Sequence, residues 1–462
     1  MQEAISQQLT ANSQQLIAQK DMAILSKDEA QAILKKVIGF STADECQANL
    51  NGRTTGNIRY ARNSVSTAGA QDNVSLAVEA RFGKRSGIAT CNEFDDATLR
   101  RCVQRAEEIA RLAPEDPEYM PLLGPQQYLT PVSYAASTAA ITPDLRAQAA
   151  GDSIALCSAK SLTAAGYLED GAYFQALRNN KGLEAYQQST SLDFSVTVRT
   201  PDGTGSGYAV ADYTDVAKFN AKSLTQLAAD KAAGSRNARA LEPGKYTVIL
   251  EPAALVSDEG LLNNLMYSLG AREADEGRSF LSKKGGGNKL GDKLFDPRIT
   301  IYSDPLNAQA PSGVFDYEGL PVKRMNWIEK GVVKNLYYSR YWAQKTGKAA
   351  TAFPGNFIME GGTQSVQDLI KSTAKGILVT RLWYIRDVDP QTLLYTGLTR
   401  DGTFYIENGK IKFPIKNFRF NESPIIMLNN VEAIGKPVRL GGNLVPPLKI
   451  RDFTFTSLSD AV

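Results

Sequence analysis

One succession of elements can be read twice in the first half of this chain, and it limits the fold more than any other feature. Ser26 stands before Lys27, Asp28 and Glu29, the pattern in which a serine caps a helix and a glutamate three positions on answers it. Ala30, Ile33, Leu34, Val37 and Ile38 then mark one apolar helical face. Extended runs are expected over Glu45–Asn51 and Asn57–Ala61, followed by an alternation of Val74, Leu76, Val78 and Ala80 up to Phe82. Lys84 to Gly87 is expected to turn the chain, and Ser86–Cys91 to return as the next strand. Asp95–Ala113 closes the unit as an amphipathic helix with Leu99, Val103, Ala106, Ile109 and Ala110 on one side and Pro114 and Pro117 beyond its end.

The same order then recurs. Pro143–Ala165 reads as a helix, with Leu145, Ala149 and Ile154 as core positions, and Tyr167–Asn179 and Gly182–Ser189 as a pair of strands. Leu192, Phe194, Val196 and Val198 match Val74 to Ala80 one for one, about 118 residues later. Pro201-Asp202-Gly203 is the turn, Gly205–Ala211 the returning strand and Asp215–Ala233 the closing helix. Two copies are too few for a solenoid, so two similar α+β units packed against each other are expected.

After a linker from Gly234 to Gly244 the texture changes. Tyr246–Leu250 reads as a strand and Ala253 to about Glu273 as a long helix; short strands with Gly, Pro and Asn turns then predominate, with helices near Ser339–Thr346 and Ser365–Lys375. The expected fold class is therefore α+β: an N-terminal half of two similar helix–antiparallel-sheet–helix units and a C-terminal half that is mostly β. Residues 1–23 form a polar tail, 24–120 the first unit, 121–240 the second, and 241–462 the β-rich domain.

Composition removes several kinds of chemistry. The 462 residues include no histidine, which excludes any reaction that needs this chain's own imidazole as zinc ligand, general base or proton shuttle. A net charge of +3 without a dense Lys/Arg run argues against a nucleic-acid surface. Cys46, Cys91, Cys102 and Cys157 form no CxxC pair and leave the last two-thirds of the chain without a thiol, so they read as small hydrophobes in a reducing compartment. The start lacks a basic and apolar leader and no run approaches 18 apolar residues, so neither export nor a membrane span is expected, and the chain reads as cytoplasmic.

The C-terminal half carries the recognisable text. Asp316-Tyr-Glu-Gly-Leu-Pro-Val322 leads into Ile328-Glu-Lys-Gly-Val-Val-Lys-Asn335. Asp401-Gly-Thr-Phe-Tyr-Ile-Glu-Asn-Gly-Lys-Ile411 leads into Phe413-Pro-Ile-Lys-Asn-Phe-Arg-Phe420, then Glu432-Ala-Ile-Gly435 and a last strand over Pro447–Phe455. With the helix at Ser26–Ile38 and the strand Ile58-Arg59-Tyr60 before Asn63-Ser64, this text resembles the TldD/PmbA family, the "modulator of DNA gyrase" proteins, and within it the PmbA (TldE) branch. The likeness spans roughly residues 24 to 456. On physical grounds the same residues are turn chemistry: Asn408-Gly409 supplies the two positive-φ positions of a type I′ hairpin, and Lys330-Gly331 and Asp401-Gly402 serve likewise.

The resemblance implies a heterodimer that degrades or trims peptides. Its TldD-type subunit holds zinc through a helical His-Glu-x-x-x-His and a Cys near the C-terminus, with both histidines on one helical face. The PmbA-type subunit lacks that motif. Here the matching helix, Ala254 to Gly270, has Glu259 at a degenerate zinc-helix position but no histidine, and Leu440 to Pro447 has no Cys. No catalytic or metal-ligating residue is therefore assigned and no cofactor is expected in this chain; zinc is expected in a TldD-type partner. An all-oxygen metal site would suit Mg²⁺ or Ca²⁺. Glu273, Asp275 and Glu276, with Arg272 and Arg278, read as a solvated, charge-balanced helix end.

Two features suggest a peptide groove or an interface. Lys284 and Asn288 lie in the Gly-rich loop Lys283–Gly291, of the kind that closes over a ligand. Trp383, Tyr384 and Arg386 follow the buried run Gly376–Thr380. An extended peptide can also add to a strand edge. The expected partners are a TldD-type subunit, or a second copy in a homodimer, and unfolded peptide, with no nucleic acid and no membrane. Two other readings stay open: a stand-alone metallopeptidase with an atypical site, and a non-enzymatic interaction protein of the gyrase-modulator kind.

Overall fold

A computed structural model of the chain describes residues 24–257 and 260–459; the expected tail over 1–23 and the position Glu259 lie outside the described residues. Helix α1 (Lys27–Phe40) starts as the sequence predicts: the Glu29 amide donates to Ser26 Oγ and the Ser26 amide donates to Glu29 Oε2. Its Ala30, Leu34 and Val37 are buried.

Three strands follow, β1 (Glu45–Ala61), β2 (Ser64–Phe82) and β3 (Arg85–Cys91), then α2 (Asp96–Leu112). The second unit repeats this with α3 (Pro143–Ala159), β4 (Thr163–Asn179), β5 (Glu184–Arg199), β6 (Ser206–Tyr213) and α4 (Ala221–Gly234). The strands are longer than expected. The two runs predicted before Ala61 are one strand, and so are the runs predicted over Gly182–Ser189 and Leu192–Thr200. Their polar middles break the hydrophobic signal but not the ladder, because β1 is hydrogen-bonded on both sides, to β2 and to β4.

Several predicted boundaries move for local reasons. The turn after Phe82 lies at Gly83-Lys84, since Phe82 already pairs with Arg85. Helix α3 stops at Ala159 rather than Ala165, because Ala164 belongs to β4 and its amide donates to Asn63 Oδ1. The closing helix begins at Ala221 rather than Asp215: Asp215 caps a short 3₁₀ turn, Val216–Lys218, and Asn220 caps α4.

The two units are fused into one six-stranded sheet of order β3-β2-β1-β4-β5-β6. β1 and β4 meet antiparallel with Thr54 opposite Ala172, so the duplicated units are related by a pseudo-twofold axis through the sheet. All four helices lie on one face. Cys46, Ala48 and Leu50 of β1 join Leu76, Val78, Leu99 and Val103 in one core, while Ile58 and Tyr60 of the same strand join Phe194, Val196 and Ala228 in another. Alternation then leaves the opposite face polar.

The C-terminal half holds two further sheets. In the first, β7 (Gly244–Leu250), β12 (Lys375–Asp389), β13 (Leu394–Glu407), β15 (Phe418–Glu422) and β19 (Leu448–Leu458) run in the order β12-β7-β19-β15-β13, and β12 pairs back with β13. This ring has no free edge; β14 (Lys410–Pro414) extends it from β13 and β16 (Val431–Ile434) pairs with β19. The second sheet is built from β8 (Ile301–Ser303), β9 (Met325–Glu329), β10 (Val332–Val333), β11 (Ile358–Met359), β17 (Val438–Leu440) and β18 (Asn443–Val445), in the order β10-β9-β8-β11-β18-β17. The hairpins predicted at Lys330-Gly331 and Asn408-Gly409 are present with all four residues at positive φ. Asp401-Gly402, read from the sequence as turn chemistry, does not reverse the chain but is a bulge inside continuous β13, where the register against β12 shifts between Val379 and Arg381.

The long helix expected over Ala253–Glu273 is three short ones: α5 (Pro252–Val256), α6 (Leu261–Tyr267) and α7 (Ala271–Asp275). Gly260 and Gly270 take extended conformations at the N-caps of α6 and α7, which ends the continuous helical path. At Gly260 a Cβ would lie 2.1 Å from the Leu255 carbonyl oxygen, so only glycine lets α6 fold back this tightly on α5.

Candidate functional site

The C-terminal half rests against the polar face of the N-terminal sheet. Ser206 of β6 donates to Asp401 Oδ1 at 2.6 Å, and Arg381 of β12 reaches Asp401 Oδ2 at 3.1 Å while its guanidinium lies 4.1 Å over the Tyr208 ring. Lys231 of α4 pairs with Glu251 at 2.6 Å. On the other flank Tyr128 donates to the Gly319 carbonyl and the Val314 amide donates to Gln187 Oε1. These contacts hold apart two surfaces that enclose a cleft.

One wall of the cleft is the sheet. Leu192, Phe194, Val196 and Val198 of β5 point to the helices, so Asp193 and Ser195 point the other way. The turn at 201–203 sets Asp193 directly opposite Asp212 of β6, and β4 sets Glu169 opposite Asp193. Three carboxylates thus stand in a row across three adjacent strands. The opposite wall is Val256 and Ser257 at the end of α5, with Leu440 at the end of β17 and Gly441 after it. The enclosed cavity has a volume of about 300 Å³. Gly441 also borders a second, smaller cavity of about 130 Å³ lined by Met266, Tyr267, Tyr337 and Phe353, where the Tyr267 and Phe353 rings stack with centroids 6.2 Å apart. The two cavities share Gly441 at their border, one beside the end of α5 and the other beside α6.

The three acids differ in their surroundings. Asp212 is 7% exposed; its Oδ2 accepts from Arg439 Nε at 2.7 Å and from the Gly442 amide at 3.1 Å, while its Oδ1 is buried without a hydrogen-bond partner. Glu169 accepts from the Tyr167 hydroxyl. Asp193 is exposed where it opens onto the cavity, but protein is massed around it on both sides of the cleft. The partial loss of water around it, with the Asp212 and Glu169 carboxylates beside it, pushes it up to about 6, against the smaller opposing pull of Arg439 and Ser191. Sequence reasoning missed this row. Its signal was present in the alternation around Leu192 and the turn at Pro201-Asp202-Gly203, which together fix both the face and the register.

The residues singled out in the sequence fall elsewhere. Trp383, Tyr384 and Arg386 do come together, on the bulged end of β12: the two rings lie 5.6 Å apart, Arg386 covers Tyr384 at 4.4 Å and Arg400 covers Trp383 at 4.1 Å. Tyr384 is 51% exposed and has φ of +55° where the register against β13 shifts. None of the three lines the carboxylate cavity. Lys284 is exposed in the glycine loop. Asn288 is tied down: it donates to Asp275 Oδ1 at 2.6 Å and accepts from the Leu290 amide, and the same Asp275 accepts from Trp342 Nε1. Glu276 is bound by Arg272 and Arg278, and Arg272 also grips Glu118. That end of the segment is charge-balanced.

The donor set does not fit a zinc ion. Along the described part of Ala254–Gly270 the polar side chains are Ser257, Asn263, Asn264 and Ser268, beside Tyr267, and the facing loop offers Asn443 but no thiol or imidazole. Among the described residues no three His, Cys, Asp or Glu side chains gather at a spacing that would hold a metal ion. None of the helices among these residues is long and apolar enough to cross a membrane.

Residues 243–457 match the family model described as PmbA/TldA metallopeptidase C-terminal domain, and residues 46–110 the one described as PmbA/TldA metallopeptidase domain 1. The chain is 24% identical to the metalloprotease PmbA of Escherichia coli O157:H7, over 93% of this chain and 98% of that one. Its fold is that of TldE from Thermococcus kodakarensis, with a TM-score of 0.82 at 17% identity over 92% of this chain and 99% of that one. It is equally that of a candidate modulator of a DNA gyrase from Thermotoga maritima, with a TM-score of 0.83 at 15% identity over 92% and 100%.

Proposed function

Because this chain belongs to the PmbA/TldD family, we propose that it is the non-metal, TldE-type subunit of a peptidase complex that degrades or trims unfolded peptides in the cytoplasm. One observation carries this reading. The segment at the zinc-helix position, Ala254–Gly270, is broken at Gly260 and has no histidine, yet the groove beside it stays open and lined by polar groups and aromatic rings. A subunit of this kind encloses and holds an extended peptide while a TldD-type partner supplies the zinc, activates water and cleaves. Exposed backbone at Gly441 and the edge strand β17 suit an extended chain, which binds through main-chain hydrogen bonds.

The test is the native mass and metal content of the complex taken from its own cell. A heterodimer is expected, with zinc confined to the partner, and with the isolated chain inactive on unstructured peptides. Cleavage by the purified chain alone, abolished by a chelator, would overturn the assignment. Recovery only as a homodimer, or without any histidine-motif partner, would also count against it.

A further inference from the structure

We infer that the cavity between β5, β6 and α5 is a subsite for an organic cation, the ammonium or guanidinium of a bound peptide, held by Asp193 and Asp212. This rests on the reading of the chain as a peptide-handling subunit and names the class of residue that subunit selects.

Glu169, Asp193 and Asp212 occupy directly opposed positions on β4, β5 and β6. Like charges opposite one another across strands destabilise a sheet. Arg59 lies 5.2 Å over the ring of Tyr167, which donates to Glu169, while Arg439 is hydrogen-bonded to this row but engages only one oxygen of Asp212. The other oxygen, on a side chain more than nine-tenths buried at the cavity wall, has no donor. A buried acceptor left without a donor is costly, and an ionised one more so. An arriving N–H⁺ group supplies the missing donor and relieves the repulsion along the row.

The surroundings favour an organic cation over a metal ion. Val256 and Leu440 give the cavity apolar sides, with Tyr167 and Tyr208 beside the acids, so the stem of a lysine or arginine finds cover while its head meets carboxylates. A divalent ion needs about six oxygens in a tight shell, whereas an ammonium carries three donors that two carboxylates can satisfy. The volume of about 300 Å³ is at the lower end of ligand pockets and accommodates one long side chain or a chain terminus. The elevated Asp193 carboxyl fits this reading, since a cation bound there stabilises its ionised form.

The experiment uses the full chain and one labelled, unstructured peptide in three versions. One is N-acetylated with a central lysine, one is N-acetylated with norleucine in its place, and one has norleucine with a free amino terminus. Fluorescence anisotropy is expected to show the cationic version bound on the order of tenfold more tightly than the acetylated norleucine peptide. Whether the lysine or the free terminus gains tells which source the site takes. Asp193→Asn should erase that preference, so that the cationic and neutral peptides bind alike, and Asp212→Asn should act in the same direction.

Equal affinity for all three peptides, no measurable binding of any, or a preference that survives Asp193→Asn would overturn the inference. So would saturation of the site by Mg²⁺ alone that Asp193→Asn abolishes. Because the measurement needs no partner, a chain that prefers cationic peptides but never joins a metal-bearing subunit would overturn the subunit assignment and leave this site standing.

Discussion

Arg146 of α3 and Asp170 of β4 form an ion pair inside the N-terminal layer, one guanidinium nitrogen lying 2.8 and 2.9 Å from the two carboxylate oxygens. Both side chains are 8% exposed. Burial raises the Asp170 carboxyl from its ordinary value and outweighs the lowering by Arg146, the signature of a pair whose desolvation is not fully repaid.

Removing one partner should therefore cost more than removing both. Arg146→Met or Asp170→Leu alone is expected to lower stability by about 3–5 kcal/mol, since each leaves an uncompensated buried charge. The double variant should recover much of that loss. Thermal or urea unfolding of the four proteins measures it, and additive losses would show that the pair acts only through its shape.

A second prediction concerns pH. Asp193 is raised from 3.8 to about 6, and Glu422, buried among the barrel strands, from 4.5 to about 6. A carboxyl whose folded pKa exceeds its unfolded value binds more protons folded than unfolded between the two. Its contribution to stability is present below the unfolded value and is lost as pH rises through about 6. Asp193→Asn should thus flatten the fall in melting temperature between about pH 4 and pH 6. At pH 8 it should gain on the order of 1 kcal/mol after allowance for solvent screening. Glu422→Gln should remove a further part of the same slope. A slope unchanged in both variants would count against these assignments.

The junction between the halves has its own test. Asp401 is 2% exposed at its side chain and receives both Ser206 and Arg381. Asp401→Ala takes the acceptor from the Ser206 hydroxyl and removes the Arg381 ion pair, and should cost about 2–4 kcal/mol. Limited proteolysis should then cut the linker around 235–243 faster than in the parent, with each half still folded by circular dichroism. Unchanged cleavage would mean that the surrounding contacts carry the junction alone.

Gly260 offers a fourth. Its φ of −53° is one that alanine adopts, so Gly260→Ala carries no penalty from backbone conformation. Its methyl would nevertheless meet the Leu255 carbonyl and push α6 from α5. A loss of about 1–3 kcal/mol is expected, together with weaker peptide binding in the adjoining groove. A variant of full stability with unchanged binding would show that the fold-back is not needed.

Much of the architecture was legible before any coordinates. The Ser26 capping box, the alternations at Val74–Ala80 and Leu192–Val198, and the Lys330-Gly331 and Asn408-Gly409 turns are local physics, decided within a few residues. The failures share a cause. Strands whose middles are polar, such as β1, are held by neighbours on both sides and leave no apolar signature. The helix expected over Ala253–Glu273 keeps helical spacing through Gly260, and only the close approach to Leu255 reveals the break. Asp401-Gly402 carries turn chemistry, yet a paired β12 on one side keeps the chain straight and makes it a bulge.

The sequence by itself determined that this chain brings no imidazole to any reaction and that its first half is built twice, because composition and short-range periodicity are properties of the chain alone. The tertiary structure decided that the two copies share one sheet, and that Glu169, Asp193 and Asp212 line up across it, the last two lining a cavity with Val256 and Leu440. Such a row depends on the registers of three strands and on the docking of the C-terminal half. The docking is set by contacts between residues far apart in the chain, which no local pattern encodes.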